Sequence, residues 1–250
     1  MRSLSGLSMA GILLFSSVIA SADVLFTDNT FNLAQYTLTP TYLSTVGVTI
    51  VGSQCTSCGN PGDALQIVAN LPNGQPSTLD QGIQGFVNNT FSYDPSTQGA
   101  INSINASVDK NLALNIADSD FPSSFRPLIE QDGNFYLAGI SGPMLVTGAG
   151  GGSTGFNTIS GTLTAADFQQ FDFSTGAFNA LSHPNFAGDQ MLFGLAQSSG
   201  LQGSPAATVT ATYDNLSLDI VTTPEPSGAG IAVVILFLAY TGIRARRTIG

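Results

Sequence analysis

The chain has 250 residues and a formal net charge of −10, with six Lys and Arg against sixteen Asp and Glu. Only Lys110 and Arg126 of the basic residues fall between residues 23 and 221, and fifteen of the acidic residues lie there (sixteen less Glu225). Because binding to phosphates requires Lys or Arg to displace counterions, this composition excludes nucleic acid as a partner. The abundant Gly, Ser, Thr, Asn and Gln, with few charges, are typical of an extracellular β-rich domain.

The N-terminus predicts a cleaved signal peptide over residues 1–22. Arg2 supplies the positive charge, an apolar stretch runs from Met9 to Ile19, and residues 20–22 read Ala-Ser-Ala, an A-x-A cleavage pattern. We therefore expect an exported protein whose mature chain begins at Asp23.

Five stretches alternate apolar with small or polar residues, which predicts half-buried strands. They are marked by Val46, Val48 and Ile50; Ile67, Ala69 and Leu71; Ile104, Ala106 and Val108; Phe135 and Leu137; and Val209, Ala211 and Tyr213. After the last stretch the phase slips by one residue at Asp214-Asn215, and Leu216, Leu218 and Ile220 continue the same face. One extra residue reverses the alternation, so we predict a β-bulge there.

Segments rich in Gly, Pro, Asn and Asp separate these stretches and predict chain reversals. Many short strands at this spacing indicate an all-β fold, a single antiparallel jelly-roll-type β-sandwich over residues 23–221. One short helix is expected to begin at Thr164, because Asp167 follows three residues later in a variant of the capping box.

The two cysteines, Cys55 and Cys58, form a C-x-x-C in a turn-rich segment. In an exported chain this spacing favours a local disulfide that tightens a loop. An unpaired or labile pair is the second interpretation, and a catalytic or metal-binding pair is the third. Zinc would need two more ligands, and the chain has one histidine.

No motif predicts catalysis. Gly150, Gly152 and Gly155 spell G-x-G-x-x-G, but the residues that follow alternate like a strand, whereas a dinucleotide site needs a helix there. His183 precedes a proline in a predicted loop. Glu130 is the only glutamate between residues 23 and 221, which argues against the two carboxylates of a glycosidase without disproving an Asp pair. We expect a protein that is not an enzyme and needs no cofactor.

Two kinds of residue could still serve a binding site. A structural calcium ion could use the close-set oxygens of Asp118, Asp120 and Asp132, or Asp214 at the predicted bulge, although solvated turn carboxylates are the alternative. Several aromatic residues in predicted loops could stack on sugar rings, although the chain lacks tryptophan. These are Tyr93, Phe121, Phe125, Tyr136 and Phe186.

The C-terminal segment predicts a membrane helix. Residues 228–243 carry no charge over sixteen positions, close to the lower limit of about 17 for a span. Arg244, Arg246 and Arg247 follow, and the positive-inside rule places them in the cytoplasm.

Pro224, Glu225 and Pro226 precede this helix, and the order of motif, apolar helix and basic end over residues 222–250 resembles the bacterial PEP-CTERM sorting signal. The resemblance implies an exosortase-type processing enzyme as partner, with Pro-Glu-Pro as the recognised motif. It also implies a precursor held in the inner membrane by its C-terminal helix and then delivered to the cell surface or extracellular matrix.

The segments GAINSINASVDKNLAL and TATYDNLSLDI resemble strands of concanavalin-like and carbohydrate-binding jelly rolls. We therefore expect a non-catalytic component of the bacterial cell surface or exopolysaccharide matrix. The alternative is a carbohydrate-binding module of the same fold that binds exopolysaccharide or another glycan. A glycosidase-like enzyme is the third hypothesis.

Overall fold

Two antiparallel β-sheets make up the part of the chain that the structure describes. The structure is a computed structural model, and it describes residues 23–72, 78–117, 121–203 and 205–223. Within these ranges the helical elements are one short α-helix, α1 (Pro95–Gln98), and two 3₁₀ turns, Leu33–Gln35 and Ala165–Asp167. The all-β prediction is therefore confirmed for the described residues.

The two sheets, named sheet 1 and sheet 2, are each built from strands in several separate parts of the sequence. Sheet 1 contains β1 (Val24–Asp28), β4 (Thr49–Gly59), β5 (Gly62–Leu71), β7 (Ile101–Leu114), β11 (Gly152–Ser153), β12 (Asn157–Leu163) and β16 (Ala207–Thr222). Sheet 2 contains β2 (Tyr36–Leu38), β3 (Tyr42–Leu43), β6 (Leu79–Tyr93), β8 (Phe121–Gln131), β9 (Asn134–Leu137), β10 (Ile140–Leu145), β13 (Gln169–Asp172), β14 (Ala177–Asn179) and β15 (Met191–Gln202).

Strand β16 is the centre of sheet 1. One of its edges pairs with β7 from Val209 to Thr222. Its other edge pairs first with β5, up to Tyr213, and then with β1, from Leu216 onward. The pairing with β7 shifts register between Asp214 and Ser217, and Asn215 has a positive φ of 51°. The predicted β-bulge is thus confirmed, and it lies where β16 exchanges one neighbour for the other.

The main core lies between the two sheets and confirms most of the predicted alternation. The inward residues of β5, β7 and β16 are buried, and Ile67, Ala106 and Tyr213 near the middle of these strands are at most 1% exposed. They pack against Phe86, Phe193 and other inward residues of sheet 2. The prediction for Val46 is wrong: it is fully exposed in a turn, and β4 begins only at Thr49.

A second apolar cluster fills the outer face of sheet 2. It contains Ile83, Val87, Leu128, Leu137, Phe171, Phe173 and Ala196. The ring of Tyr42 on β3 lies 6.5 Å from that of Phe171 on β13, edge to face. These two strands lie toward opposite edges of sheet 2. The sheet therefore curls until its own aromatic side chains meet across this face.

The predicted helix start at Thr164 is confirmed as a cap, but the helix is a single 3₁₀ turn. The Thr164 backbone N–H and hydroxyl both donate to the Asp167 carboxylate, at 2.7 and 2.8 Å. The next residue, Phe168, has extended backbone and a fully buried side chain, so packing in the core ends the turn.

The predicted signal peptide and residues 224–250 of the predicted tail, which spans residues 222–250, lie outside the described residues. No helix within the described ranges is long and apolar enough to cross a membrane. The signal peptide, the sorting motif and the C-terminal helix therefore stay predictions.

A first prediction concerns the packing between the sheets. A Cβ atom at Gly52 on β4 would overlap the ring of Phe86, which is fully buried. We expect Gly52→Ala to lower the free energy of unfolding by about 1–3 kcal/mol, because the ring must leave its place in the core. Gly139→Ala is the control, since nothing lies within 4 Å of its Cβ position. Equal melting temperatures for the two variants would contradict the packing described here.

Candidate functional site

A shallow groove of about 290 Å³ crosses the outer face of sheet 1. Its floor is a row of serines at one register position: Ser107 of β7 lies opposite Ser160 of β12 on one side and Ser217 of β16 on the other. Thr27 of β1 extends the same row beyond Ser217. None of these four hydroxyl groups hydrogen-bonds to another described residue, so all four are free to bind a ligand.

One wall of the groove is a parallel row of longer polar side chains. The Thr162 hydroxyl donates to Asn105 Oδ1 at 2.7 Å, and Asn105 Nδ2 donates to Asp219 Oδ2 at 3.1 Å. Asn105 on β7 lies directly opposite Thr162 on β12 and, on its other side, directly opposite Asp219 on β16. Their mutual hydrogen bonds hold the side chains in place along the groove.

A second polar row flanks the floor on its other side. The Thr158 hydroxyl donates to Asp109 Oδ1 at 2.5 Å, and Asn215 Nδ2 donates to Asp109 Oδ2 at 2.9 Å. Asn215 is the extra residue of the bulge, and its positive φ is a conformation that Asn tolerates better than most residues. The bulge therefore directs an amide to this side of the serine row.

The tip of the β4–β5 hairpin supports that second row. Asn215 Nδ2 also donates to the backbone carbonyl of Asn60 at 3.0 Å. The carboxylate of Asp214 is fully buried and accepts the backbone N–H of Asn60 and, at 2.7 Å, that of Asn215. Asp214 thus ties the hairpin tip to the bulge.

The cysteines lie in this same hairpin. Cys55 and Cys58 are joined by a disulfide within β4, at the point where its pairing with β5 shifts register between Cys55 and Gly59. The backbone N–H of Ser57, between the cysteines, donates to Asp63 on β5 at 3.3 Å. The disulfide therefore closes an irregular loop at the end of the hairpin that carries Asn60.

Of the four carboxylates considered for calcium, the two that the structure describes, Asp132 and Asp214, do not lie together. Asp132 lies in the turn between β8 and β9 of sheet 2, whereas Asp214 lies on sheet 1 with backbone N–H groups already bound to it. The described residues contain no group of three or more His, Cys, Asp and Glu side chains placed to hold a metal ion. Asp118 and Asp120 lie outside the described residues, and a calcium site there stays a prediction.

The expectation of exposed aromatic residues is wrong for all five candidates. Tyr93, Phe121, Phe125, Tyr136 and Phe186 are between 0% and 8% exposed. The Tyr93 hydroxyl donates to the carbonyl of Gly99 at 2.7 Å, so even its polar end serves the fold. These rings pack in the core, and the groove has no aromatic residue in its lining.

The glycine-rich run and the histidine have structural roles. Gly152 begins β11 and lies opposite Leu114 of β7, and the strand predicted after the run is β12. The Nδ1 atom of His183 lies 2.7 Å from the carbonyl oxygen of Phe168.

Neither basic side chain of the described residues contributes a charge to the groove. Lys110 is 2% exposed and points between the sheets. Arg126 lies on sheet 2, where its guanidinium carbon is 6.0 Å from the centre of the Phe178 ring. Among the described residues, the carboxylate of Asp219 lines the groove, and that of Asp109 lies in the second polar row beside it.

The groove was not predicted from the sequence. The signal was present in outward positions of the predicted strands, because Asn105 and Ser107 alternate with Ile104, Ala106 and Val108. What was missing is the pairing of β12, β7 and β16, which aligns three serines from distant parts of the chain.

No protein-family model matches the chain, and no curated protein matches it. Among solved structures, the chain is similar to the CBM22-1 xylan-binding domain of Paenibacillus barcinonensis Xyn10C, with 10% identity, a TM-score of 0.32, and coverage of 82% of this chain and 99% of that one. It is also similar to basic winged bean lectin, with 10% identity, a TM-score of 0.33, and coverage of 80% and 99%. An exo-β-agarase gives 10% identity, a TM-score of 0.36, and coverage of 80% and 26%. These TM-scores are too low for the matched structures to support a conclusion about this chain.

A second prediction concerns the anchor of the groove wall. We expect Asp214→Ala to lower the free energy of unfolding by about 1–3 kcal/mol, because the N–H groups of Asn60 and Asn215 lose their acceptor. Asp189→Ala is the control, since Asp189 is exposed. Chemical denaturation of both variants measures the difference. An Asp214→Ala protein as stable as the control would contradict the anchoring role.

Proposed function

We propose that this chain is an exported, non-catalytic protein of the cell surface or extracellular matrix, and that its β-sandwich binds a neutral polysaccharide along the groove of sheet 1. The observation that carries the proposal is the row of unengaged hydroxyls of Ser160, Ser107, Ser217 and Thr27. The flanking amides and carboxylates provide both donors and acceptors, as recognition of sugar hydroxyls requires.

The spacing of the row suits an extended chain of sugars. Neighbouring strands lie about 4.8 Å apart, so the four hydroxyls present a regular series of hydrogen-bonding groups across the strands. This repeat is comparable to the length of one pyranose unit in an extended polysaccharide. A polymer that crosses the strands would therefore place successive sugars over successive hydroxyls.

The charge of the groove favours a neutral polymer over an acidic one. Asp109 and Asp219 flank the serine floor, and Lys110, next to Asp109 in the sequence, points to the opposite side of β7. A uronate or sulfate group would meet carboxylates without a cation to offset the repulsion. Stacking on aromatic rings does not contribute, so we expect modest affinity that depends on several hydrogen bonds.

A third prediction tests the groove. We expect Ser107→Leu and Ser217→Leu each to weaken binding to neutral polysaccharide at least about tenfold, or ~1.4 kcal/mol, because leucine fills the floor and removes a hydroxyl. Affinity electrophoresis and calorimetry with soluble neutral polysaccharides, and with a polyuronate as the acidic comparison, measure the effect.

The matched control is Thr210→Leu. Thr210 lies on the outer face of the same strand as Ser217, before the bulge and outside the groove. Binding that survives Ser217→Leu, or that Thr210→Leu weakens equally, would contradict the assignment of the groove. Stronger binding to the polyuronate than to neutral polymers would contradict the charge argument.

We further propose that the tail at residues 222–250 sorts the protein through an exosortase-type enzyme that acts near Pro224, Glu225 and Pro226. The order of motif, apolar helix and arginine cluster in the sequence supports this proposal. The first and last strands of the sandwich, β1 and β16, pair with Val24 opposite Ile220. This pairing is compatible with attachment of the domain through its C-terminal end.

A fourth prediction tests sorting in the bacterium. Wild-type protein and Glu225→Ala are compared for size and location, with and without exosortase. We expect release from the membrane only for the wild type in the presence of the enzyme, since only then are motif and enzyme both present. Mass spectrometry of the mature C-terminal peptide locates the cleavage. Identical size and location in all four cases would refute the sorting proposal.

A further inference from the structure

Lys110 is the only lysine of the chain, and its side chain lies between the two sheets. It occupies an inward position of β7, between Val108 and Leu112, and is 2% exposed. Burying an ammonium group is unfavourable unless a negative charge compensates it. The groups that contact Nζ in the described part of the chain are two oxygen atoms and an aromatic ring, and no carboxylate is among them.

The two oxygens come from sheet 2. Nζ lies 2.6 Å from the carbonyl oxygen of Ser124 on β8 and 3.0 Å from Oε1 of Gln197 on β15. The carbon–oxygen bond of an amide is about 1.23 Å long, so the side-chain carbonyl carbon of Gln197 lies within about 4.2 Å of Nζ. A small rotation of either side chain brings these atoms into the range of a reactive contact, about 3–3.5 Å.

Tyr213, Ser198 and Ser199 also contact the Gln197 amide. The Tyr213 hydroxyl donates to Oε1, and its ring lies under Nζ with the centroid 4.9 Å away. Burial raises the pKa of Tyr213, so its hydroxyl stays protonated and remains a donor. Nε2 of Gln197 donates to the backbone carbonyl of Ser198 and to the hydroxyl oxygen of Ser199, both at 2.8 Å.

The amine is also in a reactive protonation state. Burial, assisted by the positive charge of Arg126, lowers the pKa of Lys110 to about 7. A substantial fraction of Lys110 is therefore neutral at physiological pH, and a neutral amine is a nucleophile, whereas an ammonium group is not.

We propose that Lys110 and Gln197 form an intramolecular amide bond that covalently links β7 of sheet 1 to β15 of sheet 2. The neutral Nζ attacks the side-chain carbonyl carbon of Gln197, and the negative charge that develops on Oε1 is stabilised by the Tyr213 hydroxyl. Within the tetrahedral intermediate one proton passes from Nζ to Nε2, the bond from carbon to Nε2 breaks, and ammonia leaves. Nothing is oxidised or reduced, and no other reactant is needed.

The product resolves the unfavourable burial of Lys110. Its nitrogen becomes a neutral amide that keeps one N–H, and the Ser124 carbonyl is already placed to accept it. The link also joins two residues 87 positions apart, which restricts the unfolded chain as a disulfide does. This inference is independent of glycan binding and of sorting.

The decisive experiment uses wild-type protein that is purified folded, then reduced and denatured. We expect the intact mass to be one ammonia below that of the sequence, trypsin not to cut after Lys110, and an amine reagent not to label it. A digest should contain one branched peptide that joins β7 to β15. Full tryptic cleavage and full labelling at Lys110 would overturn the proposal.

Two variants separate chemistry from packing. Gln197→Met keeps the length of the side chain but lacks the carbonyl, and it should leave Lys110 fully cleavable and labelled. Tyr213→Phe keeps the ring under Nζ and should reduce the linked fraction, because the donor to Oε1 is lost. A Tyr213→Phe protein as fully linked as the wild type would overturn the role of the hydroxyl, whatever the stability of the variants.

Discussion

The architecture depends on how strand β16 is paired. It uses one edge for β7 along almost its whole length and divides the other edge between β5 and β1. A strand that changes neighbours would leave unpaired backbone at the exchange, because buried N–H and C=O groups must find partners. The bulge at Asp214-Asn215 meets this need: the Asp214 carboxylate binds N–H groups there, and the hairpin tip at Asn60 covers it.

The groove follows from the same bulge. Before it, the odd-numbered residues of β16 face the core, and after it the even-numbered ones do, so Ser217 and Asp219 face outward beside β7. Without the slip, Leu216 and Leu218 would face solvent. The register then aligns Ser160, Ser107, Ser217 and Thr27, and the extra residue, Asn215, joins the flanking row through Asp109. The bulge thus allows β16 to pair with both β5 and β1, and it also shapes the outer surface of sheet 1.

The outer faces of the two sheets differ in their side chains. Sheet 2 curls and covers its outer face with its own aromatic side chains, where Tyr42 meets Phe171 and Phe173 packs edge-on against both Phe135 and Phe171. Sheet 1 leaves small hydroxyl and amide side chains in the open. The aromatic residues of sheet 2 therefore stabilise the fold, whereas the outer face of sheet 1 offers hydrogen-bonding groups.

Local patterns in the sequence predicted strands such as β5, β7 and β16, the bulge and the Thr164–Asp167 cap, because each depends on residues close together in the chain, but they did not predict β6, β8 and β15 of sheet 2. These patterns failed where tertiary packing determines burial. Phe121 and Phe186 lie in segments that read as loops, yet both are buried. Val46 fits the alternation of β4, yet it lies in a turn and is exposed. The contacts of Lys110 with Gln197 and Ser124 could not be foreseen either, since they join opposite sheets. The same holds for the serine row, which depends on register.

The most direct test of the groove maps binding onto individual residues. Backbone amide resonances of the isotope-labelled protein are followed by NMR during titration with a soluble neutral oligosaccharide. The account predicts shifts that concentrate on Ser107, Ser160, Ser217 and their neighbours on β7, β12 and β16. Shifts that concentrate instead on the aromatic face of sheet 2, or no shifts at saturating ligand, would contradict it.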